Sequence, residues 1–321
     1  MKAAVHTRYG PPSVVRIAEV ERPSPGQAEV LIKVNATTVN RTDCAYRGGK
    51  PFLARAVYGP FRPRATTLGN EFAGRIEEVG VGVTEFAVGD RVFGYNEGPF
   101  GAHAEYLVMP ANGSLATMPE DSTYERMAPA FEGAHYALST INAAQILSGQ
   151  KVLVYGATGG IGSAAVQLLR NLGVEVTAVC RAEHIELVRQ LGADRAIDLR
   201  DFAGDEHSYD VVIDAVGKSS FGACRHLLTS LGVYVSSELG PYSQNPFLAL
   251  ATPLLRGKKV KFPIPKQDQE MVRYFKGLIE SGRFSPLVDR TYPLAKIVEA
   301  YEYVETGQKV GNVVISVDPS E

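Results

Sequence analysis

A glycine-rich turn between a buried strand and a helix constrains the fold of this chain most strongly. Residues 151–155 are an apolar run typical of a buried strand, residues 161–172 carry a helical pattern, and Gly156-Ala157-Thr158-Gly159-Gly160-Ile161-Gly162 joins them. Such a turn lets the backbone approach a pyrophosphate and packs the helix closely on the strand. The ligand then lies against unpaired N–H groups at the positive end of the helix. The turn therefore predicts a dinucleotide site.

After this turn the chain alternates strands with helices. Strands are predicted at 174–179, 195–197, 209–214 and 233–237, with a helix at 183–191 and another between the last two strands, and Lys259-Val260-Lys261-Phe262 is predicted to be a final edge strand. This order predicts a parallel sheet with helices on both faces, which is an α/β fold.

The first third of the chain has a different pattern. Short β-branched runs at 2–6, 14–20, 28–36, 72–79, 91–95 and 104–109 are separated by glycine and proline, which predicts an all-β unit. Ser122-Thr123-Tyr124-Glu125 matches a capping box, so a helix is expected from there to about Ala144, interrupted at Pro129 and Gly133.

The tail after residue 266 returns to an isolated strand. An amphipathic helix carries Met271, Phe275, Leu278 and Ile279 on one side, a second helix is expected at 294–305, and a last strand at 312–317 lies outside the α/β order. That strand could pair with the amino-terminal β unit, which would make the unit discontinuous in sequence.

Composition excludes several classes of protein. A chain of 321 residues is long enough for two domains. Its net charge of −2 argues against electrostatic binding of nucleic acid. The three cysteines, Cys44, Cys180 and Cys224, exclude a disulfide framework or a four-cysteine zinc lobe. The amino terminus lacks a signal-peptide core, and no apolar stretch reaches the ~20 residues of a membrane span. We therefore expect a cytoplasmic protein that binds neither nucleic acid nor membrane.

The end of the second predicted sheet strand indicates the type of cofactor. NAD sites place Asp or Glu there to hold the ribose hydroxyls, whereas this strand ends in Cys180 and Arg181. A cation can pair with a 2′-phosphate, so the sequence favours NADPH with Arg181 as the main contact. In the alternative interpretation, Arg181 is a solvated surface charge and either cofactor is accepted.

Six motifs spread over nearly the whole chain carry a family resemblance. They are Asn40-Arg41-Thr42-Asp43, Gly69-Asn70-Glu71-Phe72-Ala73-Gly74, Val88-Gly89-Asp90-Arg91-Val92, the glycine turn, Leu191-Gly192-Ala193-Asp194 and Gly311-Asn312-Val313-Val314. On these motifs the chain resembles the medium-chain dehydrogenase/reductase superfamily, and within it the zinc-free, zeta-crystallin-like quinone oxidoreductases. The resemblance implies a GroES-like β domain at 1–120, an α/β Rossmann domain with a doubly wound parallel sheet at 121–265, and a return to the first domain at 266–321. The cofactor is then expected at the switch point of the sheet, with the substrate between the domains.

The resemblance also implies that the catalytic zinc of the related alcohol dehydrogenases is missing. Asn40 stands where those enzymes have a first cysteine ligand, Asn70 where they have a histidine, and the third cysteine should fall near Phe131 or Glu132. Amide side chains cannot supply the thiolate and imidazole that bind zinc tightly. Without this Lewis acid, simple alcohol oxidation is disfavoured and no metal is expected.

Hydride transfer without a metal still needs hydrogen-bond donors at the substrate oxygen and a proton. By resemblance Thr42 is a candidate donor, although it could instead cap a helix beginning at Asp43. Asn40 could also donate, Asn70 and Tyr136 could contact the substrate, and Tyr46 is a candidate acid. Tyrosines at such positions are more often packing residues. Asp43 and Glu71 are expected to be structural, and the apolar segment 51–63 could form a substrate lid or an ordinary surface loop.

Further residues are expected to line the cofactor by resemblance alone. Beyond the glycine turn, Cys180 and Arg181, they are Arg41 at the pyrophosphate, Val216 and Gly217 after the fourth sheet strand, Leu239 and Gly240 after the fifth, and Gly311 and Asn312 on the last strand. The edge strand at 258–263 is expected to pair across a dimer axis, although its lysines would also protect an exposed edge from aggregation.

The sequence thus predicts NADPH-dependent reduction of a small hydrophobic quinone or α,β-unsaturated carbonyl compound by a homodimer. Two alternatives remain open at this point. One is a zinc alcohol dehydrogenase with unusual ligands. The other is a non-catalytic protein that binds NADPH and uses the fold for regulation.

Overall fold

The computed structural model describes residues 1–318 and divides into two compact units. The first unit contains Met1–Glu132, Gln267–Glu280 and the segment from Pro286 onward, and the second contains Gly133–Lys266 and Ser281–Ser285. Among the described residues no helix is both long and apolar enough to cross a membrane.

Strands and helices are numbered here in chain order. The strands are β1 (Lys2–Val5), β2 (Arg16–Glu19), β3 (Glu29–Val39), β4 (Glu71–Val79), β5 (Arg91–Tyr95), β6 (Tyr106–Pro110), β7 (Leu115–Thr117), β8 (Lys151–Tyr155), β9 (Glu175–Cys180), β10 (Arg195–Asp198), β11 (Tyr209–Asp214), β12 (Leu228–Val235), β13 (Lys259–Lys261), β14 (Val288–Pro293) and β15 (Asn312–Ser316). The helices are α1 (Arg41–Gly48), α2 (Arg55–Tyr58), α3 (Tyr124–Met127), α4 (Glu132–Ala144), α5 (Gly160–Asn171), α6 (Ile185–Leu191), α7 (Phe221–Cys224), α8 (Gln244–Ala251), α9 (Gln269–Glu280) and α10 (Ile297–Glu305).

The second unit is built on a six-stranded sheet in the order β10-β9-β8-β11-β12-β13. Every ladder in this sheet is parallel. Since β8 lies between β9 and β11, the strand order reverses at the carboxyl ends of β8 and β11, where ligands bind in such sheets. The predicted Rossmann arrangement is confirmed, and the glycine turn leaves β8 at this reversal.

The first unit contains the predicted GroES-like β structure. Its main sheet runs β14-β15-β3-β4-β5-β7, with β6 also paired to β3, while β1 and β2 form a separate antiparallel pair. Strand β15 is antiparallel to β3, so the last strand does return to the amino-terminal unit. Strands β7 and β14 and helix α8 were not predicted, and β12 begins earlier than expected.

The first unit extends beyond the predicted boundary at residue 120, to Glu132. The backbone N–H groups of Phe131 and Glu132 donate to the carboxylate of Glu71 at 2.8 and 2.6 Å. Phe131 also stacks on Phe93 of β5, with ring centroids 4.9 Å apart. These contacts fix this segment on the β unit, and they give Glu71 the structural role that was expected.

The helical segment after residue 120 differs from its prediction in two details. The cap is Thr123, whose side chain accepts from the N–H of Arg126 at 3.3 Å, so the helix starts one residue later than the Ser122 motif suggests. Pro129 interrupts the segment as predicted. Gly133 does not: it lies inside α4, where a Cβ atom would approach the carbonyl carbon of Gly160 to 2.5 Å. Glycine is needed there because α4 packs against the glycine turn.

Candidate active site

The glycine turn has the geometry of a phosphate-binding loop. Gly156 has a φ of +80°, and a Cβ atom on Gly162 would lie 2.2 Å from the carbonyl oxygen of Gly156. Gly162 therefore allows the close packing of α5 on the turn. A Cβ atom on Gly159 would meet only ordinary contacts, the nearest being Val216 at 3.7 Å, so the space beside it is open to a ligand.

The first turn of α5 is available for an anion. Gly159 precedes the helix and supplies no side-chain cap, so the N–H groups of the first turn have no intrahelical or capping partner. The N–H of Ala157, by contrast, donates to the carbonyl of Val179 at 3.1 Å and fixes the turn on the sheet. Thr158, Gly160 and Ile161 are partly exposed. This arrangement fits the pyrophosphate of a dinucleotide.

The loop after β11 is held by one carboxylate that the sequence analysis missed. Asp214 accepts from the backbone N–H groups of Val216, Gly217 and Ser219 at 3.1, 2.8 and 3.0 Å. It also accepts from the hydroxyl of Tyr234 at 3.0 Å. An Asp at the end of a strand, followed by a glycine three residues later, is the signal that could have identified it.

The loop after β12 is fixed from the following helix. Gly240 has a φ of +72°, and the side-chain amide of Asn245 donates to the carbonyl of Glu238 at 2.8 Å. The N–H of Asn245 donates to the carbonyl of Leu239 at 3.0 Å. Because β8, β11 and β12 are parallel neighbours, the cofactor residues predicted after them lie along one edge of the sheet.

Two arginines follow neighbouring strands of this sheet: Arg181 comes directly after β9, and Arg200 comes two residues after β10. Burial raises the pKa of Cys180 to about 11, so its thiol is neutral. Arg181 is half-exposed, with Nη1 3.9 Å from a carboxylate oxygen of Glu183. Asp198 pairs with Cys180 across the ladder and accepts from Nε of Arg200 at 3.0 Å. The predictions considered only the end of β9 and therefore missed Arg200.

In the first unit, Asn40 begins α1 by a reciprocal capping box. Its side-chain oxygen accepts from the N–H of Asp43 at 3.0 Å, and the Asp43 carboxylate accepts from the N–H of Asn40 at 3.1 Å. Asp43 also accepts from the N–H of Gly69 at 3.0 Å, which is the structural role expected for it. Thr42 is not the cap of a helix beginning at Asp43, because the helix begins at Arg41.

Thr42 instead contacts a buried glutamate. Its hydroxyl donates to Oε1 of Glu132 at 2.5 Å. The other oxygen of Glu132 accepts from the amide of Asn70 at 2.9 Å and from the hydroxyl of Tyr95 at 2.5 Å. Thr42 is half-buried, whereas Asn70, Tyr95 and Glu132 are buried. We call these four residues the Glu132 network.

Asn40 and Asn70 contact each other rather than an open space. The amide of Asn40 donates to the side-chain oxygen of Asn70 at 2.7 Å, and only 5% and 0% of the two residues are exposed. Both amide oxygens thus already accept a hydrogen bond from within the protein. The expectation that Asn40 donates to the substrate and that Asn70 contacts it stays a prediction. Their role in the structure is to hold α1 and the Glu132 network.

These donors do not fit a zinc ion. Neither a thiolate nor an imidazole stands at position 40, 70 or 132. In the part of the chain that the structure describes, no group of three His, Cys, Asp or Glu side chains is arranged to hold a metal ion.

Burial places the titration of three carboxyl groups near neutral pH. It raises the pKa of Glu132 to about 7, that of Asp43 to about 7 and that of Glu71 to about 8. For Glu132, hydrogen bonds from Thr42 and Tyr95 oppose this shift. A group with such a pKa can both release and take up a proton at physiological pH.

The Glu132 network also reaches a partly exposed carboxylate. The hydroxyl of Tyr95 lies 2.7 Å from Oε2 of Glu97, and Glu97 is half-buried. Hydrogen-bonded groups therefore lead from Thr42 through Glu132 and Tyr95 to Glu97. Tyr95, Glu97 and Glu132 were not predicted as site residues from the sequence, although Glu132 stands near the position of the third cysteine ligand in the related zinc enzymes.

Tyr46 lies near the network but belongs to an aromatic cluster. Its ring stacks on that of Tyr58 at 3.7 Å and meets the edge of Phe100 at 4.4 Å. Burial, with smaller contributions from Tyr58 and Glu97, raises the pKa of Tyr46 far above its ordinary value, so its hydroxyl stays protonated. These ring contacts are those of a packing residue. The neutral hydroxyl of Tyr46 can still donate a hydrogen bond.

The remaining predicted residues are distributed over both units. Tyr136 lies on α4 in the second unit, with its ring 4.5 Å from that of His135. Arg41 is the exposed first residue of α1. Burial, together with the charge of Arg41, lowers the pKa of Lys309 to about 8, so Lys309 remains mostly charged at neutral pH. This cation was not predicted from the sequence.

Gly311 and Asn312 are fixed on the carbonyl of Leu287. A Cβ atom on Gly311 would lie 2.3 Å from that oxygen, and the backbone and side-chain N–H groups of Asn312 donate to it at 2.8 and 3.0 Å. Both the backbone N–H and one side-chain N–H of Asn312 are thus used within the first unit.

Comparison with known proteins agrees with this combination of fold and site. Residues 26–120 match the alcohol dehydrogenase GroES-like domain, and residues 191–315 match the zinc-binding dehydrogenase domain. The chain is 30% identical over 329 residues to a 2-methylene-furan-3-one reductase from Solanum lycopersicum, covering 98% of this chain and 79% of that protein. It is 34% identical over 303 residues to polyketide synthase GfsB from Streptomyces halstedii, covering 92% of this chain but only 5% of that protein.

A solved structure shows the same architecture over its full length. The quinone oxidoreductase from Coxiella burnetii superposes with a TM-score of 0.85 at 25% identity, covering 99% of both chains. The fold and the glycine turn define an oxidoreductase that uses a nicotinamide cofactor. The chain belongs to the quinone oxidoreductase family of the medium-chain dehydrogenases/reductases.

Proposed function

We propose that this protein reduces a quinone or an α,β-unsaturated ketone or aldehyde with NADPH, without a metal ion. The observation that carries the proposal is the Glu132 network, a buried acid joined to a half-buried hydroxyl where related enzymes hold zinc. The names of the plant reductase and the Coxiella oxidoreductase support this class of substrate.

The residues that would hold the cofactor are those of the glycine turn and the neighbouring strand ends. The uncapped first turn of α5 would bind the pyrophosphate. From the family resemblance we also propose Arg41 as a contact of the cofactor. Arg181 and Arg200 would pair with a 2′-phosphate, and the absence of a carboxylate at position 180 favours NADPH over NADH. When bound, NADPH supplies the hydride.

Thr42 and Glu132 would handle the charge on the substrate oxygen. As hydride adds to the carbon β to the carbonyl, negative charge moves to the oxygen. In its protonated form Glu132 would donate from Oε1 to Thr42, which frees the hydroxyl proton of Thr42 for the substrate. Thr42 would then donate that proton to the substrate oxygen and take the proton of Glu132 in return. Tyr95 would then pass its hydroxyl proton to Glu132 and take one from Glu97, which is partly exposed and would regain its proton from solvent. Asn40 and Asn70 act as positioning residues, and Tyr46 could supply a second hydrogen bond.

The proposal is tested by NADPH oxidation across a panel of quinones, enones and enals, repeated with NADH and with a chelator. We expect turnover that the chelator leaves unchanged. Thr42→Val should lower kcat by about 100-fold, because a general-acid step is worth about 10²–10⁴-fold, and Thr42→Ser should restore most of it. Stoichiometric zinc that is required for turnover would reject the metal-free chemistry, and tight NADPH binding without turnover of any substrate would reject the enzymatic role.

We also propose that the protein is a homodimer joined through the edge of the second sheet. Strand β13 ends that sheet, and large apolar side chains around it and α8 are exposed, namely Leu231, Phe247, Leu250, Leu254 and Ile264. Sedimentation should give a dimer for wild type and a monomer for Leu250→Glu. The matched control is Leu147→Glu, an exposed leucine on the same unit, which should leave the dimer intact.

A further inference from the structure

A cavity of about 220 Å³ lies within the first unit, beside the aromatic cluster of Tyr46. Tyr46, Tyr58, Val57, Leu68 and Arg64 contribute to its lining, and so does His6 from the segment directly after β1. Its walls are therefore mostly apolar or aromatic, and its volume suits a single ring with small substituents.

His6 is the unusual residue in this lining. It is 2% exposed, and its Nε2 atom has no hydrogen-bond partner. Buried polar atoms nearly always have a partner, so an unpaired one beside a cavity indicates a missing ligand or water. No residue of the Glu132 network contacts His6 in the described hydrogen bonds, so the mechanism above does not explain it.

The tautomer of His6 follows from its other nitrogen. Nδ1 lies 3.0 Å from the carbonyl oxygen of Thr66, which can only accept, so Nδ1 carries a proton and donates it. Burial lowers the pKa of His6, with smaller contributions from Arg47 and His103, so the imidazole is neutral at neutral pH. In a neutral imidazole the second nitrogen is an acceptor. His6, a residue of the cavity lining, thus carries an unpaired hydrogen-bond acceptor, and its partner must be a donor.

We propose that this cavity binds the hydroxyl end of a phenolic ligand, with His6 Nε2 accepting from the hydroxyl. A quinone carbonyl cannot donate, whereas the hydroquinone formed from it by addition of a hydride and a proton can. A hydroxyphenyl enone would fit equally well. Arg64 on the lining can donate to the oxygen of the same hydroxyl. The inference rests on the proposed function for the identity of the ligand, so its test uses equilibrium binding rather than turnover.

The test compares 4-methylphenol with 4-methylanisole, whose oxygen accepts but cannot donate. Calorimetric titration gives the ratio of the two dissociation constants for each variant. His6→Asn can keep the bond to Thr66 but has no atom at the Nε2 position, so the preference for the phenol should fall by about three- to tenfold. His6→Gln can place its amide oxygen near that position and should keep the preference.

Arg64→Met is the matched control. It should weaken the binding of both ligands alike and leave the ratio of their dissociation constants unchanged. An unchanged ratio in His6→Asn would overturn the proposal. Nitrogen-15 NMR of the wild-type imidazoles covers the case in which the variants do not fold. In these spectra, the chemical shift of one unprotonated ring nitrogen should change when 4-methylphenol is added and not when 4-methylanisole is added. The absence of such a change would also overturn the proposal. Binding that follows this pattern without any turnover would reject the proposed reaction alone.

Discussion

The glycine turn and the Glu132 network are both site elements, yet they are built in opposite ways. The turn consists of consecutive residues, and its function comes from backbone N–H groups and from the lack of side chains. The network joins side chains from different elements, with Thr42 and Glu132 separated by 90 positions in the sequence. A backbone site can be recognised from a local motif, whereas a side-chain site of this kind becomes visible only once the fold brings its members together.

The largest effect is expected from a substitution that disrupts the glycine turn. In Gly162→Ala the added Cβ atom lies 2.2 Å from the Gly156 carbonyl oxygen, so α5 must shift. We expect a loss of about 1–3 kcal/mol in the free energy of unfolding, as for other overpacked sites, together with strongly weakened NADPH binding. Urea denaturation and calorimetric titration measure the two quantities.

Gly159→Ala is the matched variant. Its Cβ atom meets only ordinary contacts, the nearest at 3.7 Å, so the stability of the free protein should be nearly unchanged. The same atom enters the space assigned to the pyrophosphate and should weaken NADPH binding. Equal stability losses in the two variants would contradict the different roles assigned to these glycines.

The same contrast explains what the sequence could predict. The α/β order, the switch point and the return of the last strand to the amino-terminal unit follow from periodicity and local motifs, which is why they were predicted. The pairing of β15 with β3 itself was not predicted. Gly133 was expected to interrupt the helix because glycine has a low helix propensity. It is helical in the structure, and glycine is needed there because the backbone of α4 lies close to Gly160. The partners of Asn40 and Asn70 were missed because both residues were compared with metal ligands, and only the fold shows that they contact each other.

The pH dependence of stability is the next test of the buried carboxyl groups. The pKa values of Asp43, Glu71 and Glu132 are raised to about 7, about 8 and about 7, so the folded state keeps protons that the unfolded chain has already lost. Stability from these groups is complete below the unfolded pKa values near 4 and is lost as the pH rises through the folded ones. His103 acts in the opposite direction, because its pKa is lowered to about 4.

Between pH 4 and about 6.5 the two contributions oppose each other, so the clearest window lies above the pKa of an unfolded histidine. We expect the free energy of unfolding to fall from pH 6.5 to pH 8, as measured by urea denaturation at both values. Glu132→Gln should reduce this slope, since glutamine cannot titrate. A free energy that rises over this window would show that the three carboxyl groups are already ionised in the folded protein.

The smallest expected effect concerns the choice between the two cofactors. Arg181 and Arg200 are exposed and lie at neighbouring strand ends, so each should contribute modestly to binding of the 2′-phosphate. We expect Arg181→Ala and Arg200→Ala each to lower the NADPH-to-NADH ratio of kcat/KM by about three- to tenfold, because each removes one exposed partner of the 2′-phosphate. A ratio unchanged in both variants would reject the assignment of NADPH to these side chains.

The most direct measurement of the central claim is the rate of a single turnover in Glu132→Gln, with NADPH bound and a chelator present. Glutamine keeps the shape of the side chain and can still pair with Thr42 and Tyr95, but it cannot pass on a proton. We expect the rate to fall by about 100-fold or more while the dissociation constant of NADPH stays unchanged. A rate close to that of wild type would contradict the claim that Thr42 receives its proton from this buried glutamate.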